Sequence, residues 1–304
     1  MSLAVHPDID DATFRARHVG ASEVSALFDA NPWVTHFELW HRKNGTIATP
    51  DFGGDERIEW GIKLEPVIIA AACERWGYTL RDGPKKLTNG QGLGGHPDAY
   101  AICPERGPGI LETKCADWLI AKQWGDEPPL HYLLQGNTYA GLDKVNWFDL
   151  IVLVGGNELR RFQYDFRPRL YDEAASRTAA FWASIEAGTP PVANYDRDLD
   201  PIKAVYQAQG DAVIDLTGDN QAPDAAARYL RAKAIIKTAE AEADAAEAEL
   251  RDKLGDAAAA IVEGFTVKAT PVAATPDKEI TPDMVGQNIR GRKGYRRLYV
   301  KEKS

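Results

Sequence analysis

The sequence is poor in sulfur and in long apolar runs. Its three cysteines, Cys73, Cys103 and Cys115, form no CxxC pair and cannot all pair with one another. This excludes a disulfide framework, a zinc ribbon and a four-cysteine iron–sulfur site, and leaves ordinary free thiols. The longest unbroken apolar run, residues 67–73, is far short of the ~18 residues needed to span a bilayer. The opening residues, Met1-Ser2-Leu3-Ala4-Val5-His6-Pro7-Asp8, show no charged-then-apolar export signal, so the expectation is a cytoplasmic protein with no membrane partner. A net positive charge is absent too: 36 Lys+Arg stand against 45 Asp+Glu, a formal −9. Residues 201–304 hold 16 of each sign, whereas residues 1–200 hold 20 basic and 29 acidic. Carboxylates concentrated in this way suit an enzyme that holds divalent cations, and equally suit an acidic solvated surface.

What is present is a globular composition, with 44% hydrophobic and 27% charged residues among 304. That length allows one large domain with an appendage, or two domains. Ser22, ahead of an apolar pattern through Leu27 and Phe28, is a candidate helix N-cap. A short helix follows Asn31-Pro32-Trp33, and a longer one is expected over residues 55–76, stopped by Gly77 and weakened or kinked at Pro66. Past Gly77 the period shortens to that of strands, and a hairpin is expected on either side of the loop between Pro104 and Pro108. A helix over residues 130–142, a second hairpin across Gly155-Gly156 and a helix over residues 171–187 complete this region. Residues 193–222 are rich in Asp, Asn and Gly and are placed as a linker. Beyond it, residues 224–254 are strong helix formers with a heptad seam of Tyr229, Ala232, Ile236, Ala239, Ala243, Ala246 and Leu250. Residues 290–303 hold seven Lys+Arg and one acid, a candidate backbone-phosphate contact or a solvated tail.

The chemistry concentrates in the first hairpin. A period of two sends Glu112 and Lys114 to one face of a strand, and the preceding strand can bring Asp98 beside them. Two adjacent carboxylates repel unless a cation lies between them, so the pair suits Mg²⁺ or Mn²⁺. Lys114 is then placed to orient a water for attack on phosphorus, or to help deprotonate it. Trp118 and Trp124 are candidates for stacking on bases.

His96-Pro97-Asp98 followed by Glu112-Thr113-Lys114 resembles the PD-(D/E)xK nuclease signature. Four further features in order, Arg15 with Gly20-Ala21-Ser22-Glu23-Val24, Trp60 to Pro66 with Glu65, Gln135 with Tyr139, and Phe181-Trp182 before Pro190-Pro191, resemble the YqaJ-like viral recombinases. That family is similar to phage lambda exonuclease and to the nuclease domain of RecB. The resemblance spans residues 13–192. It implies a restriction-endonuclease-like mixed sheet flanked by helices, in a nuclease domain of residues 1–192, then the linker and a C-terminal region, 223–304, with a long helix and a basic strand-containing tail.

The resemblance further implies an ATP-independent 5'→3' exonuclease on double-stranded DNA ends that leaves 3' overhangs for phage-type recombination. Asp98 and Glu112 would be the principal ligands of the first of two Mg²⁺ (or Mn²⁺) ions, with the Thr113 carbonyl, and Glu65 would serve the second. Lys114 would hold the attacking water, Gln135 and Tyr139 would line the site, and Arg15 and Ser22 would bind the terminal 5' phosphate. A single-strand annealing protein and a homo-oligomer, a ring trimer, are the partners it implies. The rivals are an endonuclease of resolvase or restriction type, which needs no 5'-phosphate pocket, and a non-catalytic DNA-binding or assembly subunit.

Overall fold

The computed structural model describes residues 9–50, 54–207, 213–274 and 295–302; for residues 9–11 and 295–302 it describes the backbone only. The chain divides into two compact units, Met1–Gln209 and Gly210–Ser304. The first opens with α1 (Ile9–Arg17), β1 (Val19–Gly20), a 3₁₀ turn (Val24–Phe28), α2 (His36–Lys43) and α3 (Glu56–Trp76). Then come β2 (Thr79–Leu80), β3 (Leu87–Thr88), β4 (Leu93–Gly95), β5 (Ala99–Cys103), β6 (Gly107–Ala116), α4 (Trp118–Lys122) and α5 (Leu130–Asp143). The hairpin β7 (Trp147–Val154) and β8 (Glu158–Asp165) leads to α6 (Pro168–Glu186) and α7 (Leu199–Val205). The second unit holds α8 (Ala222–Leu254), β9 (Ala259–Val262), β10 (Phe265–Val272) and β11 (Tyr295–Glu302).

The central sheet of the first unit runs β2-β5-β6-β7-β8, with β6 and β7 parallel and the other neighbours antiparallel. It is mixed, and helices cover both of its faces. Alternation along β6 separates the two: Leu111 packs with Ile68, Ile69 and Ala72 of α3, whereas Ile110 packs with Tyr139 and Ala140 of α5. Burying these rows, at ~25 cal/mol per Å² of apolar surface, is what pins the register. A one-residue slip would exchange the two faces. Close approach of α5 to the sheet depends on Gly136, where a Cβ would lie 2.2 Å from the Phe148 ring.

Helix α3 begins and ends where the local signals place it. Asp55 accepts a bond from the Arg57 N–H at 2.9 Å, and Gly77 closes the helix with φ of +72°. Pro66 does not interrupt it: the helix is continuous across this position. Ser22 is not a helix cap. The turn after it is a five-residue 3₁₀ segment, Val24–Phe28, preceded by Glu23, and the Glu23 carboxylate accepts from the Gly20 N–H at 2.8 Å and pairs with Lys43 at 2.7 Å. The first unit also extends past residue 192. Asp198 is fully buried, accepts the Thr35 hydroxyl at 2.5 Å and the Asn194 N–H at 2.6 Å, and so ties the start of α7 to the start of α2. The stretch expected as linker thus contains a docked segment.

In the second unit, β10 pairs antiparallel with both β9 and β11. Of the basic run, Arg296, Arg297 and Lys301 fall on the backbone of β11, while 290–294 and 303 lie outside the described residues. All three cysteines are unpaired. Among the described residues no helix is long and apolar enough to cross a membrane.

Candidate active site

The site is built where β5 and β6 meet the two covering helices. Ala99 faces Leu111 across the hairpin, so Asp98, one residue before β5, stands beside the centre of β6. Its Oδ2 accepts two bonds from Thr113, from the backbone N–H at 2.7 Å and the hydroxyl at 2.8 Å. The N–H and C=O of one strand residue point to the same edge, so the Thr113 carbonyl also faces the Asp98 side, where β5 has ended. The pleat puts Glu112 and Lys114 on one face, and Lys114 Nζ pairs directly with Glu112 Oε1. Gln135 Nε2 reaches down from α5 to the same oxygen at 2.6 Å and lies 3.4 Å from the Tyr139 hydroxyl. Glu112 is 1% exposed, and its other oxygen, Oε2, is buried with no hydrogen-bond partner.

Two clefts converge on this cluster. One, of about 260 Å³, is lined by Glu65 and Arg57 of α3 together with Asp98, Thr113 and Lys114. The other, of about 320 Å³, is lined by Arg15, His18, Ser22, His96, Tyr139 and again Asp98. The nine predicted site residues therefore fall into one connected region. Arg15 and Ser22 occupy its far end, with Asp98 at the junction.

The electrostatics show a region short of positive charge. Burial, reinforced by Asp98 and only partly offset by Lys114, pushes the Glu112 carboxyl up to about 8. Glu65 is pushed up to about 7 by burial and then by Asp98, against the pull of Lys114. Burial alone would lower Lys114, but Glu112 and Asp98 outweigh it and raise its pKa. The ammonium is thus a fixed cation and a hydrogen-bond donor. A held ammonium suits the first of the two roles expected for Lys114, orienting a water.

Among the described residues, no group of three or more His, Cys, Asp or Glu side chains is arranged to hold a metal ion. The expected carboxylate set is not drawn into a cage, because Asp98 is tied to Thr113 while Glu112 is tied to Lys114 and Gln135. What fits a hard cation is narrower. A buried, unpartnered Glu112 oxygen beside a second carboxylate is a costly arrangement until positive charge approaches it.

Residues 12–142 match the family described as the YqaJ-like viral recombinase domain. This segment resembles a YqaJ-like viral recombinase domain. Among curated proteins, the YqaJ protein of Bacillus subtilis (strain 168) is 24% identical over 307 residues, covering 95% of this chain and 93% of that protein. Among solved structures, the alkaline exonuclease LHK-Exo from Laribacter hongkongensis is 20% identical with a TM-score of 0.46, over 59% of this chain and 93% of that one. A phage-related exonuclease from Haemophilus somnus 129PT is 15% identical with a TM-score of 0.39, over 55% and 83%.

The YqaJ-like domain holds further residues that sequence reasoning did not single out. Burial, and next the charge of Lys114, lower His131 to about 4, so its ring is neutral. His131 lies between the exposed Trp33, edge-on at 4.9 Å, and Tyr132 at 4.0 Å, and Lys114 Nζ sits 5.7 Å from the Tyr132 ring centre. Trp124 meets Tyr132 edge-on at 5.7 Å. Arg57 was legible, since it sits two turns before Glu65 on the helix that supplies it. His131 and Tyr132 at the start of α5 gave no such signal, because only the fold brings them to Lys114.

Proposed function

We propose that this chain is a metal-dependent, ATP-independent 5'→3' exonuclease acting on double-stranded DNA ends and leaving 3' single-stranded overhangs. The observation that carries the reading is Glu112, a buried carboxylate with one oxygen bridged to Lys114 and Gln135 and the other unpartnered, beside Asp98 where two clefts meet. Asp98, Glu112 and the Thr113 carbonyl would hold one Mg²⁺ or Mn²⁺, and Glu65 would serve a second. Bound there, a divalent cation supplies the Lewis-acid charge that the carboxylates call for and that a developing phosphorane needs.

The remaining steps belong to the protein's own residues. Lys114 donates hydrogen bonds that align a water with the phosphorus. Gln135 holds the Glu112 carboxylate in place, with Tyr139 behind it. Arg15 and Ser22 hold the terminal 5' phosphate through charge-assisted bonds. Because the 3₁₀ turn after Ser22 offers no α-helical N-terminus, that pocket rests on these side chains and not on a helix dipole. Attack breaks the bond from phosphorus to the 3' oxygen of the terminal nucleotide. The next nucleotide then carries the new 5' phosphate, which is the group the pocket is placed to receive. A single-strand annealing protein and a ring of subunits are the partners proposed with this activity.

Digestion of linear, nicked and covalently closed circular DNA, each with Mg²⁺ and with EDTA, tests the proposal. The expected result is loss of linear duplex from its 5' ends with Mg²⁺ only. Ready cutting of closed circles would favour the endonuclease reading.

A further inference from the structure

Helix α8 is 33 residues long, about 50 Å at ~1.5 Å per residue. Among the described residues of its unit, its end is packed: Leu254, with Leu250 beside it, lies against Val267, Ala269 and Ala260. The heptad stripe from Tyr229 to Ala246 is exposed, 63% at Tyr229 and 48% at Ile236, with Ile235 exposed alongside at 62%. Charge along the helix is split by sign. Residues 225–238 hold four bases, Arg228, Arg231, Lys233 and Lys237, and no acid. Residues 239–249 hold five acids, Glu240, Glu242, Asp244, Glu247 and Glu249, and no base.

We infer that α8 pairs with α8 of a second copy of this chain, antiparallel, along the stripe from Tyr229 to Ala246. One register satisfies size and charge together. It sets Tyr229 against Ala246, Ala232 against Ala243 and Ile236 against Ala239, so each large side chain meets an alanine and the axes can come close. The flanking positions then bring Arg228 to Glu249 and Lys233 to Glu240, each pair occurring twice by the twofold symmetry. A parallel pair does the opposite. It stacks Tyr229 on Tyr229 and Ile236 on Ile236, and it sets Arg228 beside Lys233 and Glu242 beside Glu247, both like-charged. The charge pattern therefore selects a partner of the same sequence running the other way.

The test is sedimentation equilibrium of the full chain over a wide concentration range, with circular dichroism as the check on folding. All substituted positions are exposed, so the helix itself survives. Wild type should show self-association, and Ile236→Asp should halve the mass of the largest species. Lys233→Glu and Glu240→Lys should each weaken self-association about tenfold, since each turns two attractive contacts into repulsive ones. An equal mixture of these two variants should recover wild-type association, because the antiparallel register restores both opposite-charge pairs between unlike chains. The inference is overturned if Ile236→Asp leaves the mass unchanged. It is equally overturned if Lys233→Glu strengthens association, as a parallel pair would, or if the mixture stays as weak as its components. None of these readouts involves nuclease activity, so they stand apart from the proposed function.

Discussion

Two of the glutamate–base pairs in this molecule sit in settings that differ in almost everything but their chemistry. In β6, Glu112 and Lys114 pair beneath α5, with Glu112 buried and its carboxyl pushed up to about 8. On α8, Glu247 and Arg251 pair at 2.6 Å with both side chains exposed. In the second setting water screens the pair, which is worth about 0.2–0.5 kcal/mol. In the first, desolvation of Glu112 outweighs the pull of Lys114, and a buried ion pair of this kind is poor evidence for stability. The pair in β6 is better understood as a site kept ready for further positive charge. The pair on α8 is helix support.

If that contrast is right, the largest effect in the molecule comes from Glu112. Glu112→Ala should abolish DNA cleavage while leaving the fold intact, because it removes a ligand and a repelling charge together. Activity retained in this variant, measured on linear duplex, would break the comparison. Lys114→Ala comes next, with hydrolysis slowed by about 10²- to 10⁴-fold and duplex binding retained. Equal losses of binding and of rate would make Lys114 a DNA contact only.

A third test concerns pH and stability. Glu65 and Glu112, at about 7 and about 8, hold protons more tightly in the folded chain than at their ordinary 4.5. The stability they contribute is therefore complete below about 4.5 and is lost as pH rises through 7 and 8. Lys114, also raised, titrates above that window. In EDTA the Tm should fall between about pH 5 and pH 9, Mg²⁺ should restore it at the alkaline end, and Glu112→Gln should flatten the slope. A Tm that climbs over this range without metal would contradict the charge assignment.

How much of this was legible from the chain depends on how local the signal is. The start of α3 near residue 55, its stop at Gly77 and the two-residue period that joins Glu112 to Lys114 are written in neighbouring residues, and the structure has each of them. Ser22 misled because a cap needs an α-helix after it, and the turn that follows is instead organised by Glu23 reaching back to Gly20. Pro66 suggested a weakened or bent helix, yet α3 runs on across it, with Ile68, Ile69 and Ala72 packed beyond that position. Asp198 on Thr35 and His131 beside Lys114 join residues far apart in sequence. No pattern within either segment announces them.

Smaller effects sharpen the same contrast. Arg15→Ala should erase any preference for a 5' phosphate over a 5' hydroxyl, a difference of about 10-fold or more in kcat/KM if the contact is charge-assisted. Equal rates on both ends in the wild type would remove the pocket from the account. Smallest of all, Glu247→Ala on α8 should shift unfolding free energy by less than about 0.5 kcal/mol. Denaturant unfolding can detect a larger change, which would mean that exposed charge on α8 does more than support its own helix.

The central claim is that Asp98, Glu112 and Lys114 form a cation-requiring site for cleaving the phosphodiester bond. It is tested most directly by following release of mononucleotides from 5'-phosphorylated linear duplex, for wild type and Glu112→Ala, with Mg²⁺ and with EDTA. The account predicts release by wild type with Mg²⁺ and none in the other three reactions. Release that persists in EDTA, or in Glu112→Ala, would contradict it.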